Sequence, residues 1–219
     1  MIVAQWLGRM GFAPALDVQL RAREAVVAGA GERLLLVEHP PTLTLGRRGS
    51  RGDVLWSDEQ LAAMGVEVCD SPRGGQVTLH APGQLVAYPI ARIGTKIRAH
   101  ITLLGEVAGR LVAELGVAGS EFRIDQPGVW LGARKLASIG VHVSRGVTVQ
   151  GIAINLDVDP ALFGALVSCG MPQSAMSSVV REGGRATAVA AAARRYAELW
   201  AQARGESLAW DGAAPPTGC

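Results

Sequence analysis

Cys169 is the first residue whose surroundings indicate reactivity. It lies between small residues in the segment Ser168-Cys169-Gly170-Met171-Pro172, which is typical of a loop. A loop thiol is accessible, and an accessible thiol whose pKa is lowered below its ordinary value of ~8.5 is a nucleophile. A loop cysteine without any catalytic role is the alternative interpretation. Cys69 alternates with strand valines and is expected in the core, and Cys219 is the last residue.

Lys135 is the second candidate because lysine is rare in this chain. Only two of the 21 basic residues are lysines, Lys96 and Lys135, and all the others are arginines. A lysine can release its proton in a protein, whereas an arginine cannot. Lys135 opens a predicted strand, where it could act as a base; a solvated strand end is the alternative interpretation.

The densest group of glycine and polar residues is the segment 73–84, Arg-Gly-Gly-Gln-Val-Thr-Leu-His-Ala-Pro-Gly-Gln. Two adjacent glycines leave main-chain N–H groups unshielded, as a site for a carbonyl or carboxylate requires. We therefore expect a Cβ at Gly75 to intrude on a bound ligand. A glycine-rich turn that leads into a half-polar strand is the alternative. The segment matches neither a Walker loop nor a dinucleotide-binding fingerprint.

The four histidines are further candidates for proton transfer. His39 and His80 could act as bases, whereas His100 and His142 lie in helix and strand patterns that indicate ordinary packing or exposure. No pair has the spacing of a metal site. The sequence therefore predicts neither a metal nor a cofactor.

The pattern of apolar residues predicts the elements that must position these groups. Helices are predicted from Pro14 to Gly29, with Leu16, Leu20 and Val27 on the apolar face; behind a capping box at 57–64; at 98–115, ended by Gly116; after Asp159-Pro160; and at 187–203. Strands are predicted at 2–7, 33–39, 42–45, 66–69, 129–131, 135–143 and 147–156, and as a hairpin-like pair around Pro82-Gly83.

This irregular alternation of strands and helices favours an α+β fold, with a mixed β-sheet and flanking helices, over a doubly wound parallel sheet. We expect one domain over residues 1–211 and a loose tail at 212–219. Hydrophobic residues make up 49% of the 219 residues and charged residues 18%, which is typical of a packed core.

The same composition restricts the partners and the compartment. The net charge of +2 is too small to indicate nucleic acid as a partner. No apolar run approaches the ~18 residues of a membrane span, and we find no signal-peptide pattern. Three cysteines cannot build a disulfide framework. We expect a soluble, cytoplasmic protein that binds neither nucleic acid nor membrane.

Taken together, five segments resemble the lipoyl(octanoyl) transferases over residues 39–180. They are Glu38-His39-Pro40-Pro41 with Thr44-Leu45-Gly46-Arg47, the segment 73–84, Lys135-Leu-Ala-Ser138-Ile139-Gly140, Gly151-Ile-Ala153 with Asn155, and Ser168-Cys169-Gly170. The chain departs from the family pattern where Leu79 replaces an aromatic residue, Ala81 a glycine, Gln150 a histidine and Ser168 a proline.

The resemblance implies a fold similar to the catalytic domain of biotin and lipoate-protein ligases. It also implies transfer of an octanoyl group from acyl carrier protein to a lysine of a lipoyl domain, in 2-oxoacid dehydrogenase E2 subunits or the glycine cleavage H protein. The implied catalytic residues are Cys169 and Lys135. The implied substrate-binding residues are Arg73, Gly74, Gly75, Gln76, Val77, Thr78, Leu79, His80, Ser138, Ile139, Gly140, Gly151, Ile152 and Ala153.

Several alternatives stay open at this point. An ATP-dependent lipoate or biotin ligase of the same fold would need a nucleotide but not Cys169. A non-catalytic lipoyl-domain or carrier-binding module would need neither catalytic residue. A cysteine hydrolase would need a histidine partner, for which His80 is the candidate. Arg47, Arg48 and Arg51 could dock an acidic carrier protein, or they could form an ordinary solvated face.

Overall fold

The computed structural model describes residues 1–166 and 176–216. Four α-helices lie in these ranges: α1 (Phe12–Val27), α2 (Asp58–Ala63), α3 (Ile97–Glu114) and α4 (Val189–Arg204). The strands are β1 (Ile2–Arg9), β2 (Arg33–Glu38), β3 (Thr42–Leu45), β4 (Glu67–Asp70), β5 (Val77–His80), β6 (Gln84–Ile90), β7 (Glu121–Arg123), β8 (Gly128–Leu131), β9 (Arg134–Ser144), β10 (Val147–Asn155) and β11 (Leu208–Trp210). Short 3₁₀ helices span Arg51–Asp53 and Pro160–Ala165.

The strands form two sheets. The large sheet has the order β11-β1-β2-β6-β10-β9-β8-β7, and the small sheet has the order β4-β3-β5. In the large sheet β1 pairs in parallel with β2 and β11, while the other pairs are antiparallel. The predicted α+β class with a mixed sheet is confirmed.

The large sheet is covered on both faces because its strands alternate their apolar side chains. Leu34 and Leu36 of β2 pack with α3 and α4, whereas Leu35 and Val37 face the α1 side with Val26. The small sheet has a separate apolar cluster, in which Leu43, Val77, Leu79, Leu162 and Phe163 are buried. Each sheet therefore has its own core.

The hairpin predicted around Pro82-Gly83 is wrong. β5 pairs with β3 in the small sheet, whereas β6 pairs with β2 and β10 in the large one. The chain changes sheets at Gly83, whose φ is +80° and whose missing Cβ would lie 2.0 Å from the Asp157 carbonyl oxygen. Only glycine fits so close a backbone contact at this φ.

The face that α1 buries also differs from the prediction. Phe12, Ala15, Gln19 and Val26 are its buried residues, while the predicted Leu16, Leu20 and Val27 are half-buried. A polar residue, Gln19, faces the sheet because its Oε1 accepts a hydrogen bond from the Gln150 main-chain N–H at 2.8 Å. Leu20 and Val27 still pack, partly buried, against the core on this side of the sheet, so the polar contact adds to the predicted apolar face.

Other local predictions are confirmed. The Ser57–Gln60 capping box begins α2, and the tight turn between β9 and β10 lies at Arg145 and Gly146, both with positive φ. The three-residue strands β7 and β11 were not predicted. Near the end of the described chain, Pro215 is buried and its carbonyl accepts a hydrogen bond from Arg194 at 3.3 Å. In the described ranges, none of the helices combines the length and hydropathy that a membrane crossing requires.

Candidate active site

Lys135 lies near the start of β9 and is 93% buried, so it is not the solvated strand end that its position also suggested. Its Nζ lies 5.1 Å from the centre of the Trp130 ring, within cation–π range. Trp130 is held by its Nε1–H, which donates to the Gln126 carbonyl at 3.1 Å. Gly128 leaves room for the lysine, because a Cβ there would lie 2.6 Å from Lys135 Cε.

The chain returns beside Lys135 at residue 176. Met176 forms an isolated parallel bridge with Lys135, and the Ser177 N–H donates to the Lys135 carbonyl at 3.0 Å. Asn155 Nδ2 donates to the Ser177 carbonyl at 2.9 Å, and the Asn155 carbonyl accepts from the Val179 N–H at 2.9 Å. The backbone on both sides of the lysine is therefore fixed by hydrogen bonds.

Cys169 lies outside the described residues, as do Ser168, Gly170, Met171, Pro172 and Cys219. The described residues that flank this segment are Leu166 and Met176, and both line one cavity with Lys135. Cys69 is half-buried on β4 rather than fully in the core. Burial, with Glu67 and Asp70 nearby, raises the pKa of its thiol, which makes it a weak nucleophile.

Arg73 joins the small sheet to the large one. Its Nη2 donates to the Thr44 carbonyl at 2.6 Å and to Thr44 Oγ1 at 2.8 Å. Its stem crosses Gly140 of β9, where a Cβ would lie 2.9 Å from Arg73 Cδ. The absence of a Cβ at Gly140 therefore leaves space for the Arg73 side chain.

The loop at residues 46–49 packs its backbone directly on residues 73–76. The Gly46 N–H donates to the Gln76 carbonyl at 2.9 Å, and the Arg48 N–H donates to the Gly75 carbonyl at 3.0 Å. A Cβ at Gly46 would lie 2.5 Å from the Gly75 carbonyl oxygen. These contacts direct the carbonyls of Gly75 and Gln76 toward the loop, whereas the Gly74 carbonyl accepts a hydrogen bond from Arg73 Nη1 at 3.1 Å.

The N–H groups of the same segment differ in their hydrogen-bond partners. The Gly74 N–H donates to the Val141 carbonyl at 3.1 Å, whereas the N–H groups of Gly75 and Gln76 donate to no backbone carbonyl in the described part of the chain. Both residues line the cavity that Lys135 lines. Two such donors are what a carbonyl oxygen that gains negative charge requires.

Three connected spaces surround these residues. The inner cavity, of about 20 Å³, is lined by residues that include Arg73, Thr78, His80, Ser138 and Gln150. The central cavity, of about 50 Å³, shares Arg73, Thr78 and Ser138 with it and adds Lys135. The outer cleft, of about 610 Å³, shares Lys135 with the central cavity and includes Arg48, Ile97 and Asp125. Lys135 therefore lies where a buried space meets an open one.

Every residue predicted to bind substrate lines one of the two buried cavities. Arg73, Thr78, His80, Ser138, Gly140, Gly151, Ile152 and Ala153 line the inner cavity; Gly74, Gly75, Gln76, Val77, Leu79 and Ile139 join Arg73, Thr78 and Ser138 around the central one. The fold therefore brings together segments that are up to 80 residues apart in the sequence. Their contact with a substrate stays a prediction.

The predicted bases His39 and His80 form a buried cluster with Tyr88 and Phe12. His39 Nδ1 donates to the Met10 carbonyl at 2.7 Å, so its Nε2 accepts from the Tyr88 hydroxyl at 2.9 Å. Burial lowers the pKa of His39 to about 4. The pKa of His80 is lowered well below its ordinary value by burial and by the neighbouring His39. Both rings are neutral near pH 7.

His80 belongs to a chain of hydrogen bonds that ends at the segment beside Lys135. Gln84 Nε2 donates to Asn155 Oδ1 at 2.9 Å and to the Leu79 carbonyl, so Gln84 Oε1 accepts from His80 Nδ1. His80 lines the inner cavity and is not among the residues around the central one. It therefore lies one cavity away from Lys135.

Sequence reasoning missed several residues of this site. They are Trp130, Gly128 and Ser177, which contact Lys135. Gln150, which the sequence marks as a departure from the family pattern, lines the inner cavity with a φ of +63° that side chains rarely adopt. In the described ranges, no three His, Cys, Asp or Glu side chains are grouped closely enough to bind a metal ion.

Comparison with known proteins agrees with this geometry. The family described as "Lipoyl protein ligase A/B catalytic domain" matches residues 13–199. An octanoyltransferase of Chloroflexus aurantiacus is 41% identical over 201 residues, which are 89% of this chain and 90% of the relative. The chain belongs to the lipoyl protein ligase A/B catalytic-domain family. Within that family its curated relatives are octanoyltransferases, which are acyltransferases.

Solved structures of this family and of biotin ligases share the fold. A protein of T. acidophilum that is described as a lipoate protein ligase, with lipoic acid bound, superimposes with a TM-score of 0.78 at 12% identity, over 96% of this chain and 89% of its own. The biotin protein ligase of Aquifex aeolicus gives a TM-score of 0.53 at 11% identity, over 93% and 68%. The predicted similarity to the biotin and lipoate ligase fold is confirmed.

Proposed function

We propose that this member of the family transfers an octanoyl group from the thioester of acyl carrier protein to a lysine of a lipoyl domain, through a thioester on Cys169. The position of Lys135 carries the proposal. The lysine is buried where the central cavity meets the outer cleft, and the described residues on both sides of the segment 167–175 line the same cavity. Such a junction suits an acyl group that enters inward and a carrier that stays outside.

The first step exchanges one thioester for another. The Cys169 thiolate attacks the carbonyl carbon, the bond to the carrier sulfur breaks, and the carrier leaves as a thiolate that takes its proton from the Lys135 ammonium group. An ammonium group beside Cys169 lowers the pKa of the thiol and so raises the thiolate fraction. Lys135 supplies that charge in this proposal, and the N–H groups of Gly75 and Gln76 donate to the carbonyl oxygen as its charge grows.

The second step forms the amide. The amine of the acceptor lysine attacks the Cys169 thioester, the carbon–sulfur bond breaks, and Cys169 leaves as the thiolate. The attacking amine must lose a proton, and Lys135, once deprotonated, accepts it as a general base. Arginine could perform the first role but not the second, which accounts for a lysine in a chain that otherwise uses arginine.

The acyl chain enters the buried cavities in this proposal. Because their volumes of about 20 and 50 Å³ are too small for eight carbons, their walls must move apart to admit it. Their apolar walls include Leu79, Phe163, Leu166 and Ile152. At about 0.8 kcal/mol per buried methylene, an eight-carbon chain gains at most roughly 6 kcal/mol. One methylene more or less changes selectivity by ~1–3 kcal/mol, so the preference for chain length is graded.

The acceptors are lipoyl domains of 2-oxoacid dehydrogenase E2 subunits and the glycine cleavage H protein, and the reaction needs no cofactor. We place the enzyme in the cytoplasm, since a thiol nucleophile requires a compartment that keeps cysteines reduced.

A transfer assay without ATP tests the proposal. The protein is incubated with octanoyl-carrier thioester, its intact mass is measured, and a lipoyl domain is then added. We expect one octanoyl adduct that maps to Cys169 and then moves to the lipoyl domain, and a folded Cys169→Ser variant without the adduct. A strict need for ATP would indicate a ligase, release of free octanoate a hydrolase, and no reaction a binding module. An adduct on Cys69 or Cys219 would contradict the assignment of the nucleophile.

A further inference from the structure

Exposed cationic side chains surround the opening of the outer cleft. Arg48 lines the cleft from the loop at 46–49, and Arg47 precedes it. On α3, Ile97 lines the same cleft, and its neighbours Lys96 and Arg98 lie on the adjoining open surface. We call Arg47, Arg48, Lys96 and Arg98 the cleft rim.

The cleft rim is a group of four cations that lack salt-bridge partners in the described part of the chain. None of its side chains forms an ion pair or a hydrogen bond with the described residues. Many other arginines are paired: Arg195 with Glu114, Arg204 with Glu32, and Arg134 with Glu182. Arg21 and Arg185 are also unpaired among the described residues, but neither lines the cleft, so what distinguishes the rim is its place beside the cleft. One acid, Asp125, lines the cleft, and another, Glu106, lies on the outer surface of α3.

Arg51, which the sequence grouped with Arg47 and Arg48, serves another purpose. Its guanidinium donates to Asp58 at 2.6 Å, to the Trp56 carbonyl at 3.0 Å and to the Val54 carbonyl at 3.1 Å. These bonds hold the turn ahead of α2. The second half of the cationic surface comes instead from α3, which is close in space and distant in sequence.

The arrangement costs the fold stability. The first turn of α3 contains no acidic residue, and Lys96 and Arg98 lie at the positive end of its macrodipole. Cations at that end are electrostatically unfavourable at low ionic strength. Ile97 beside them is 42% exposed. Unpaired like charges around an exposed apolar residue, at the entrance of a cleft, fit a negatively charged protein surface.

We propose that the cleft rim docks an acidic surface of the acyl-group donor, the carrier protein, while its thioester reaches Lys135 along the outer cleft. The inference rests on the proposed function, because Lys135 at the inner end of the cleft is the point that the thioester must reach. The inference adds two points: the donor contacts this protein at the cleft rim, and the donor presents negative charge there. The acceptor domain is the competing occupant.

Charge reversal tests the surface. Lys96→Glu combined with Arg98→Glu places acids at the positive end of α3, so the fold should tolerate the change. Arg21→Glu combined with Arg185→Glu is the matched control, since both arginines are exposed, form no ion pair with the described residues and line none of the described cavities. Each double variant is assayed with octanoyl-carrier thioester and with octanoyl-N-acetylcysteamine, a small thioester that has no protein surface.

We expect the rim variant to raise KM for the carrier thioester by about tenfold, since rim charges act mainly on encounter, and to leave KM for the small thioester within about twofold. The control should change neither. An unchanged KM for the carrier, an equal loss with both donors, or a rise confined to KM for the lipoyl domain would overturn the proposal. Absence of acylation by the small thioester would instead refute the proposed function.

A measurement on the unmodified enzyme gives a second test. Raising the ionic strength from about 0.05 to 0.3 M screens exposed charges. KM for the carrier thioester should rise severalfold, whereas KM for the small thioester should stay constant. Equal responses of the two donors would overturn the proposal without any variant.

Discussion

The two sheets meet the candidate active site from opposite sides, and they are held in different ways. The large sheet carries Lys135 near the start of β9, where the next residues Leu136 and Ala137 are buried in the core that α3 covers. The small sheet and its loops supply the N–H groups of Gly75 and Gln76, and they are fixed by Arg73 and by backbone contacts at Gly46. The position of Lys135 thus depends on apolar packing, and the position of the proposed carbonyl-binding N–H groups depends on close backbone contacts.

Because the two sheets are held in different ways, we expect a substitution at the connection between them to lower the free energy of unfolding most. In Gly83→Ala, the new Cβ would meet the Asp157 carbonyl oxygen at 2.0 Å, in a backbone that cannot yield cheaply, at a φ of +80°. We expect a loss of at least about 4 kcal/mol in the free energy of unfolding. Urea denaturation measures it.

Gly205→Ala is the control for the backbone strain alone, because Gly205 has a φ of +64° and nothing within 4 Å of its missing Cβ. It should cost about 1 kcal/mol. Similar losses in the two variants would show that contact between the sheets at Gly83 does not matter.

The next largest expected effect is a loss of folding stability at low pH, caused by histidines at the boundary between the sheets. His39 follows β2 of the large sheet and His80 ends β5 of the small sheet. The pKa of His39 in the folded protein is about 4, below its ordinary value of about 6.5. The unfolded chain therefore binds more protons between these values, so stability is full above pH ~6.5 and is lost as the pH falls toward 4.

For His39 alone the expected loss between pH 7 and pH 5 is about 2 kcal/mol. Urea unfolding at several pH values should show this loss, and His39→Gln should reduce the pH dependence by about that amount. Parallel pH curves for the two proteins would contradict the assignment of His39 as a buried neutral base.

Alanine substitutions at the adjacent glycines 74 and 75 separate a role in the fold from a role in ligand binding. Both glycines lie in the loop before β5 of the small sheet. Gly75 has a φ of +95° and a Cβ there would meet Arg73 Nη1 at 3.3 Å, so the intrusion expected at this position is on a protein side chain. At Gly74 the nearest atom to a Cβ would be the Val141 carbonyl oxygen at 3.8 Å, an ordinary contact.

We expect Gly75→Ala to cost about 1–3 kcal/mol of stability. Gly74→Ala should change stability by less than about 0.5 kcal/mol and weaken acylation at low thioester concentration. Melting temperature and acyl-enzyme formation against thioester concentration provide the two readouts. A strongly destabilised Gly74→Ala with normal acylation would make both glycines purely structural.

The features that were predicted correctly from the sequence are those that depend on interactions between neighbouring residues. The Ser57–Gln60 capping box, the helix end at Gly116 and the turn at Arg145-Gly146 follow from local rules and are observed. The sheet change at Gly83 and the strand β11 were missed because they depend on partners distant in sequence. The strand β7 pairs with its neighbour β8, and it was missed because three residues are too few to show an apolar period.

The candidate site shows the same limit. The segments predicted to bind substrate come from the family resemblance, and the structure groups them around two cavities. The contact of Gln19 with Gln150 and the position of Lys135 against Trp130 could not be predicted, since they arise from tertiary contacts that no local pattern encodes.

The two roles of Lys135 are the central claim, and single-turnover kinetics of Lys135→Arg test it most directly. The two half-reactions are measured separately: acylation of Cys169 by octanoyl-carrier thioester, and transfer from isolated acyl-enzyme to a lipoyl domain. Lys96→Arg, at the only other lysine, is the control and should retain both. We predict that Lys135→Arg keeps part of the acylation rate, because arginine still favours the thiolate, and loses transfer by at least about 100-fold, because arginine cannot accept the proton. Equal losses in both half-reactions, or loss in neither, would contradict the account.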